Sequence, residues 1–308
     1  VTVPKLVIYC SVLNIKKYLY IYMNSSTDSL LRQFKALADP VRVRLVVLCA
    51  AAECSVSELT EVTGLSQPRV SQHLRQLIEA DLLERFRDGH FVYYRVPQGG
   101  AEAPARRRLL GLLPDDAPEF ARDLDKLRRL RIGSDDREAA IPAGDRLLHK
   151  ALVELTVSAP LGNLLDIGCG EGRLLKLLAS RANRVIGVDI DPEARRLARA
   201  ELLLAGLPNC SLRQGDMYAL PFEDDAFDTV ILDDVLADSE RPAAALQEAG
   251  RLLRTGGRLL LLASVRTNDA PALKERFIAW AAETGLRLAP PRLIPEKKPG
   301  WLLGIATS

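Results

Sequence analysis

Cysteine is scarce. There are five in 308 residues, at positions 10, 49, 54, 169 and 210, and no two are spaced as C-x-x-C. An odd number without that spacing argues against a disulfide framework and against a zinc ribbon, and a reducing cytoplasm is the expected setting. No metal centre is expected. Charge of one sign is also missing: 42 Lys and Arg against 40 Asp and Glu leave a net charge of +2. A polybasic coat is excluded, so any nucleic-acid contact must come from a local patch. Aromatics are only 5% of the chain. No apolar run is long enough to cross a bilayer, since Leu6–Leu13 is short and Lys16 and Lys17 lie soon after it. That segment also has the wrong polarity for an export signal, with only Lys5 ahead of the run and no small-residue cleavage site. Val1 at the start and an internal Met23 suggest that residues 1–22 are a mis-assigned extension and that the protein proper begins near Met23.

What remains is a globular profile, 48% hydrophobic and 27% charged, long enough for about two domains. The first is expected over 23–96. After Asp28, Leu30, Leu31, Phe34, Leu37 and Ala38 keep helical spacing, and Asp39-Pro40 opens a second helix running to about Ala52. Ser55-Val56-Ser57-Glu58 is a capping box that starts a short helix ending at Gly64. Ser66 is expected to cap a further helix from Gln67 to about Ala80. Two short helices joined by Gly64-Leu65-Ser66 make a helix-turn-helix. On the last helix Val70, Leu74, Leu77 and Ile78 form an apolar stripe, while Pro68, Arg69, Gln72, Arg75 and Gln76 point away from it. Two strands around Asp88-Gly89 then read as a hairpin, a wing with Arg85, Arg87 and His90 available to phosphates. Residues expected to face DNA are Gln67, Arg69, Gln72, His73, Arg75 and Arg87, because Arg and Gln side chains suit base edges and phosphates.

The stretches FKALADPVRVRLVVL, SVSELTEVTGLSQPRVSQHLRQLIEADLLERF and DGHFVYYRV resemble the arsenic-repressor (ArsR) family of winged-helix regulators, over about Leu30 to Val96. The resemblance implies a homodimer on palindromic double-stranded operator DNA. Metal-sensing members carry Cys-Val-Cys where this chain has Ser55-Val56-Ser57. Cys54 is one position off, and a single thiol makes no soft-metal site.

Residues 97–118 read as a linker with a short helix over Ala105–Leu113, whose Arg106, Arg107 and Arg108 suit packing or dimerisation better than a DNA arm. The second domain is expected over 119–308. Phe120–Arg131 and Gly144–Val157 read as amphipathic helices. From Asn163 strands and helices alternate, so the expected fold class is α/β: a winged helix-turn-helix and then a doubly wound, mostly parallel Rossmann-like sheet. A final antiparallel pair is expected across the Pro-rich connection Pro290–Gly300.

Ligands in such sheets bind at the carboxyl ends of the strands. Three strand ends carry suggestive residues. Asp166, Gly168, Gly170 and Gly172 form a loop that lets backbone approach a ligand and turn into a helix N-terminus. Asp189, at the end of the second strand, suits the two hydroxyls of a ribose. Gly215-Asp216-Met217 comes after the third, where Asp216 suits an adenine amino group and Met217 packing on the ring. Glycines at such turns serve packing equally well, and Asp191-Pro192 is an ordinary helix start. A nicotinamide site would want G-x-G-x-x-G, and here the third glycine is one position early.

In this order, with PFEDDAF at Pro221–Phe227 and the turn Leu253-Arg254-Thr255-Gly256-Gly257, these motifs resemble class I S-adenosylmethionine-dependent methyltransferases over about Phe120 to Ser308. The resemblance implies S-adenosylmethionine as cofactor, with S-adenosylhomocysteine as product or effector, held by Asp166, Gly168, Gly170, Gly172, Asp189, Asp216 and Met217. The acceptor is harder to read. Asp233, Asp234 and Asp238 come after the fourth strand and are weak candidates for a base, although an N-cap cluster explains them as well. Asp233-Asp234-Val235-Leu236 is not the Asn/Asp-Pro-Pro-aromatic motif of amino-methylating enzymes. No Pro-Cys dipeptide occurs, and Cys169 and Cys210 alone are too few for arsenite methylation. A small-molecule acceptor, or none, remains. Two readings stay open and do not exclude each other: a DNA-binding regulator whose second domain senses the ligand, or an active small-molecule methyltransferase whose winged helix controls its own operon or only mediates dimerisation.

Overall fold

A computed structural model describes residues 27–100, 102–114, 117–132, 143–158, 160–265, 269–295 and 300–307. The supposed extension 1–22, Met23 and Cys10 lie outside them. The described residues divide into two compact units. The first comprises those up to Ala50, with Cys54–Phe86 and Val92–Asp125. The second comprises Ala51–Glu53, Arg87–Phe91 and those from Lys126 onward.

Local sequence chemistry builds the first unit. A helix over 27–37 (α1) precedes α2 (Pro40–Ala51), where Asp39 Oδ1 accepts from the Arg42 amide at 3.0 Å. A two-residue strand β1 (Cys54–Ser55) leads into α3 (Val56–Thr63). Ser55 and Glu58 form the capping box in both directions, and Gly64 ends the helix at φ 69°. Ser66 precedes α4 (Gln67–Glu79) but makes no side-chain cap. Pro68 stands at the second position of α4 and has no N–H to offer it. Val70, Leu74 and Leu77 are buried as expected; Ile78 is only half-buried.

The hairpin strands are β2 (Glu84–Asp88) and β3 (Phe91–Arg95), in a sheet of order β1-β3-β2. The turn residues are therefore Gly89-His90, one position later than the dipeptide suggested. Gly89 has φ +61°, the left-handed conformation such a turn asks of its first residue. The linker helix α5 (Ala103–Leu110) buries Arg106, which donates to the carbonyls of Asp81, Pro97 and Gly99 at 2.7–3.0 Å. Arg106 is thus a packing residue.

Helices α6 (Pro118–Ile132) and α7 (Ala143–Ser158) precede the large sheet. Its elements run β4 (Asn163–Ile167), α8 (Arg173–Leu178), β5 (Arg184–Asp189), α9 (Pro192–Leu204), β6 (Cys210–Gln214), β7 (Phe227–Asp233), α10 (Pro242–Leu252), β8 (Leu253–Ser264), α11 (Ala270–Glu283), β9 (Arg287–Leu288), β10 (Arg292–Ile294) and β11 (Trp301–Thr307). Strand order is β10-β11-β8-β7-β4-β5-β6, with β9 also paired to β11. Strands β4 to β8 are parallel neighbours and β11 is antiparallel. Order reverses between β4 and β7, the switch point where ligands of such sheets sit. Strand β10 falls inside the stretch read as a plain connection. The turn before the fifth strand is a bulge within β8: Phe227 pairs with Leu253 and Thr229 with Arg258, so the residues between loop out.

Continuous apolar runs in β4, β7 and β8 are buried on both faces. Leu165 and Val230 pack with α10 and α11, while Leu164 and Ile231 pack with α7 and α8. Each such side chain contributes about 1.5–3 kcal/mol on burial. That rigid core holds the strand ends in register.

Candidate cofactor site and DNA-facing helix

The loop after β4 crosses the carboxyl end of the sheet. Gly168 and Cys169 donate to the Val188 carbonyl at 2.8 and 3.1 Å, and Gly172 leads into α8. Its three glycines all have positive φ but differ in surroundings. A Cβ on Gly168 would overlap Val235, and one on Gly172 would press Ala198 at 3.2 Å; one on Gly170 would meet nothing within 4 Å. Gly168 and Gly172 therefore serve close packing, and Gly170 faces open space.

Asp189 ends β5 beside this loop. Its Oδ2 accepts from the Gly170 amide at 2.8 Å and its Oδ1 from the Asp191 amide at 2.9 Å. A carboxylate has about four acceptor positions, so two remain for a ligand. Asp191 caps α9 through the Glu193 amide. Ile190, next to Asp189, is 66% exposed although large and apolar. Sequence reasoning passed over it; an apolar residue directly after a strand-end Asp is the signal that was there.

Asp166 is the outlier. It is 0% exposed, and neither carboxylate oxygen has a hydrogen-bond partner. Burial pushes its carboxyl well above the ordinary range; Asp233 and Asp189 add to this and Arg173 opposes it. Both a buried charge and an unpaired carboxyl are costly, so this group calls for a cationic or donating partner. Across the switch point Asp233 is paired with Arg173 at 3.1 Å, whose guanidinium lies over the Trp301 ring at 4.3 Å. Arg173, directly after the third glycine, was not anticipated. Asp234, at φ 57°, accepts from the Ser264 amide and hydroxyl at 2.8 and 2.7 Å, latching β7 to β8. Neither is a free base, and Asp238 is exposed.

After β6, Asp216 is exposed and accepts from the Tyr218 amide at 3.1 Å, while Met217 packs against the core. Burial pushes the Cys169 thiol well up, which disfavours the thiolate form. Asp166, Gly168, Gly170, Gly172 and Asp189 are thus gathered at the carboxyl ends of β4 and β5, with Asp216 and Met217 at the neighbouring end of β6.

The second unit contains a buried ionic cluster that sequence reasoning missed. Asp88 pairs with Arg195 at 3.2 Å and Arg199 at 2.7 Å, and Glu53 pairs with Arg199 at 3.4 Å and Arg213 at 3.0 Å.

In the first unit, Gln67, Arg69, Gln72 and Arg75 are exposed along α4. His73 is half-buried, and its Nδ1 is buried without a hydrogen-bond partner. The helix turns His73 away from the exposed row because Val70, Leu74 and Leu77 fix which face is buried. Arg87 is exposed and falls in the second unit's segment Arg87–Phe91. Among the described residues no group of three His, Cys, Asp or Glu side chains could hold a metal, and no helix is long and apolar enough to cross a membrane.

A winged helix and a methyltransferase-type α/β sheet thus occur in one chain. The chain belongs to the methyltransferases, and its first part is similar to a family of regulators: a model of methyltransferase domains matches residues 165–261, and one of arsR-family bacterial regulatory proteins matches 39–85. An arsenic resistance transcriptional regulator of Pseudomonas putida is 50% identical over 64 residues, 20% of this chain and 50% of that protein. A demethylmenaquinone methyltransferase of Roseiflexus castenholzii is 31% identical over 173 residues, 54% of this chain and 68% of that protein. A crystal structure of a SAM-dependent methyltransferase from Aquifex aeolicus aligns with TM-score 0.45 at 15% identity, covering 54% of this chain and 98% of that one. Against the first relatives it matches, the chain spans 34%, 50% and 40% of their lengths.

Proposed function

We propose that this protein is a DNA-binding regulator whose second unit binds S-adenosylmethionine or S-adenosylhomocysteine, and that this occupancy sets operator affinity. The observation that carries the ligand half is Asp166, fully buried with both oxygens unpartnered. An amino-acid ammonium or a sulfonium fits that carboxyl, which no protein group satisfies. Gly170 leaves room for the ligand, Asp189 has acceptor positions for ribose hydroxyls, Asp216 suits an adenine amino group, and Ile190 offers an apolar face to the ring. When bound, S-adenosylmethionine supplies an electrophilic methyl group. The surrounding residues bind and orient: Asp166 neutralises positive charge and Asp189 fixes the loop amide at Gly170.

The carboxylates nearest the switch point favour sensing over base-assisted transfer, since Asp233 is held by Arg173 and Asp234 by Ser264. The exposed row Gln67, Arg69, Gln72 and Arg75 supports operator binding by α4, in a homodimer on a palindromic site. A small-molecule acceptor is then optional.

Fluorescence anisotropy of promoter DNA, titrated without ligand, with S-adenosylmethionine and with S-adenosylhomocysteine, tests the reading. The expected result is displaced curves, the larger displacement coming from S-adenosylhomocysteine. Superimposable curves would overturn the sensor and leave an enzyme sharing a chain with a winged helix.

A further inference from the structure

The ends of β5 and β6 that present Asp189 and Asp216 are tied together by a residue far away in sequence. Asp88 has a side chain 3% exposed, and its hydrogen-bond partners lie more than 100 residues away. Oδ1 accepts from the Gln214 amide at 2.5 Å, directly before Gly215-Asp216. Oδ2 accepts from Arg195 Nε at 3.2 Å and Arg199 Nη2 at 2.7 Å. Arg195, 2% exposed, passes the connection on: its Nη1 donates to the Asp189 carbonyl at 2.9 Å. The Gly215 amide donates to that same carbonyl at 3.3 Å.

A tight turn requires a residue such as Gly89 with positive φ, and asks nothing of the Asp88 side chain. Burying an Asp with two arginines gains little stability over apolar packing of the same shape. What such a network does supply is direction, because each hydrogen bond fixes a specific backbone atom. Here the fixed atoms are the Asp189 carbonyl and the Gln214 amide. Gly89 also sits tightly, since a Cβ there would lie 3.0 Å from Gln214 Oε1.

We infer that Asp88, acting through Arg195, is a positioning residue of the adenosine end of the cofactor site. The inference rests on the cofactor reading above. It gives the Arg87–Phe91 turn a ligand-orienting role through Asp88, beside the phosphate contact that sequence suggested for the exposed Arg87 and His90.

Isothermal calorimetry with S-adenosylhomocysteine on the full chain tests it, using wild type, Asp88→Asn, Arg195→Lys, Asp189→Ala and the double variant Asp88→Asn/Asp189→Ala. Arg195→Lys keeps the buried charge while losing the reach to the Asp189 carbonyl, so it serves if Asp88→Asn folds poorly. Each of these two should bind about tenfold more weakly than wild type, within the range for residues coupled in one network. In the Asp189→Ala background, Asp88→Asn should add clearly less than its roughly tenfold effect in wild type, because the part that works by aiming the Asp189 carboxylate is already lost while the part that works through the Gln214 amide remains. A merely structural role predicts an equal loss in both backgrounds together with a lower melting temperature, and that result overturns the inference. Wild-type affinity in both Asp88→Asn and Arg195→Lys overturns it too, while leaving the cofactor reading intact. A wild-type chain that binds no ligand overturns both.

Discussion

The Gly170 amide donates to Asp189 Oδ2 at 2.8 Å, joining the glycine loop after β4 to the end of β5. Two motifs that sequence reading treats as separate are thus one device. The carboxylate holds the loop open at the glycine that has free space around it, and it keeps acceptor positions for a ligand.

Asp189→Ala should weaken S-adenosylmethionine binding by about 1.5–3 kcal/mol, the order of a lost charge-assisted partner. Part of that loss comes from the released loop. Calorimetry on wild type and variant measures it, and equal affinities would remove Asp189 from the site.

The Asp166 carboxyl carries a pH signature. Its folded value lies well above 3.8, chiefly through burial. Once pH passes 3.8 the unfolded chain has released a proton that the folded chain still holds. Stability therefore falls as pH rises from there until the folded carboxyl ionises as well, and the deficit persists above. Asp166→Asn removes the charge. It should melt higher than wild type at neutral pH, with the difference shrinking towards pH 3.8, and it should lose ligand affinity. Thermal scans across pH decide the point; a constant difference would show that Asp166 ionises normally.

Gly168 and Gly170 should separate packing from binding. Gly168→Ala drives a Cβ into Val235 at a positive φ, so it should cost about 1–3 kcal/mol of stability. Gly170→Ala meets open space; it should cost about 1 kcal/mol through its positive φ alone and reduce ligand binding more than stability. Urea unfolding and calorimetry on both variants provide the comparison.

On the DNA side, Arg69→Ala should cost about 1–3 kcal/mol if Arg69 reads a base edge. If it contacts phosphate instead, binding should fall evenly across sequences with a shallower salt dependence. Gel-shift titrations at two salt concentrations distinguish the two, and no shift of any promoter fragment would count against the regulator.

Linkage sets the final expectation. If one ligand changes operator affinity by about 5- to 150-fold, operator DNA must change the affinity for that ligand by the same factor. Calorimetry with and without operator DNA measures the second leg of the cycle, and unequal factors would exclude a simple two-state switch.

Much of this was legible in the sequence because it depends on local chemistry. The Ser55–Glu58 capping box, Gly64, the apolar stripe of α4 and the buried runs of β4, β7 and β8 come from periodicity and from which residues tolerate a given φ. Asp166, Asp189 and Asp216 could be placed at strand ends because parallel strands alternate with helices at short, regular spacing. Tertiary structure alone decided how each carboxylate is engaged. Asp233 faces Arg173, Asp234 latches Ser264, and Asp166 has no hydrogen-bond partner, although all three look alike along the chain. It also turned His73 away from the exposed row of α4 and tied Asp88 to Arg195 across 107 residues. Charge pairing in a low-dielectric interior depends on distance and on the burial of both partners, and sequence separation carries no information about either.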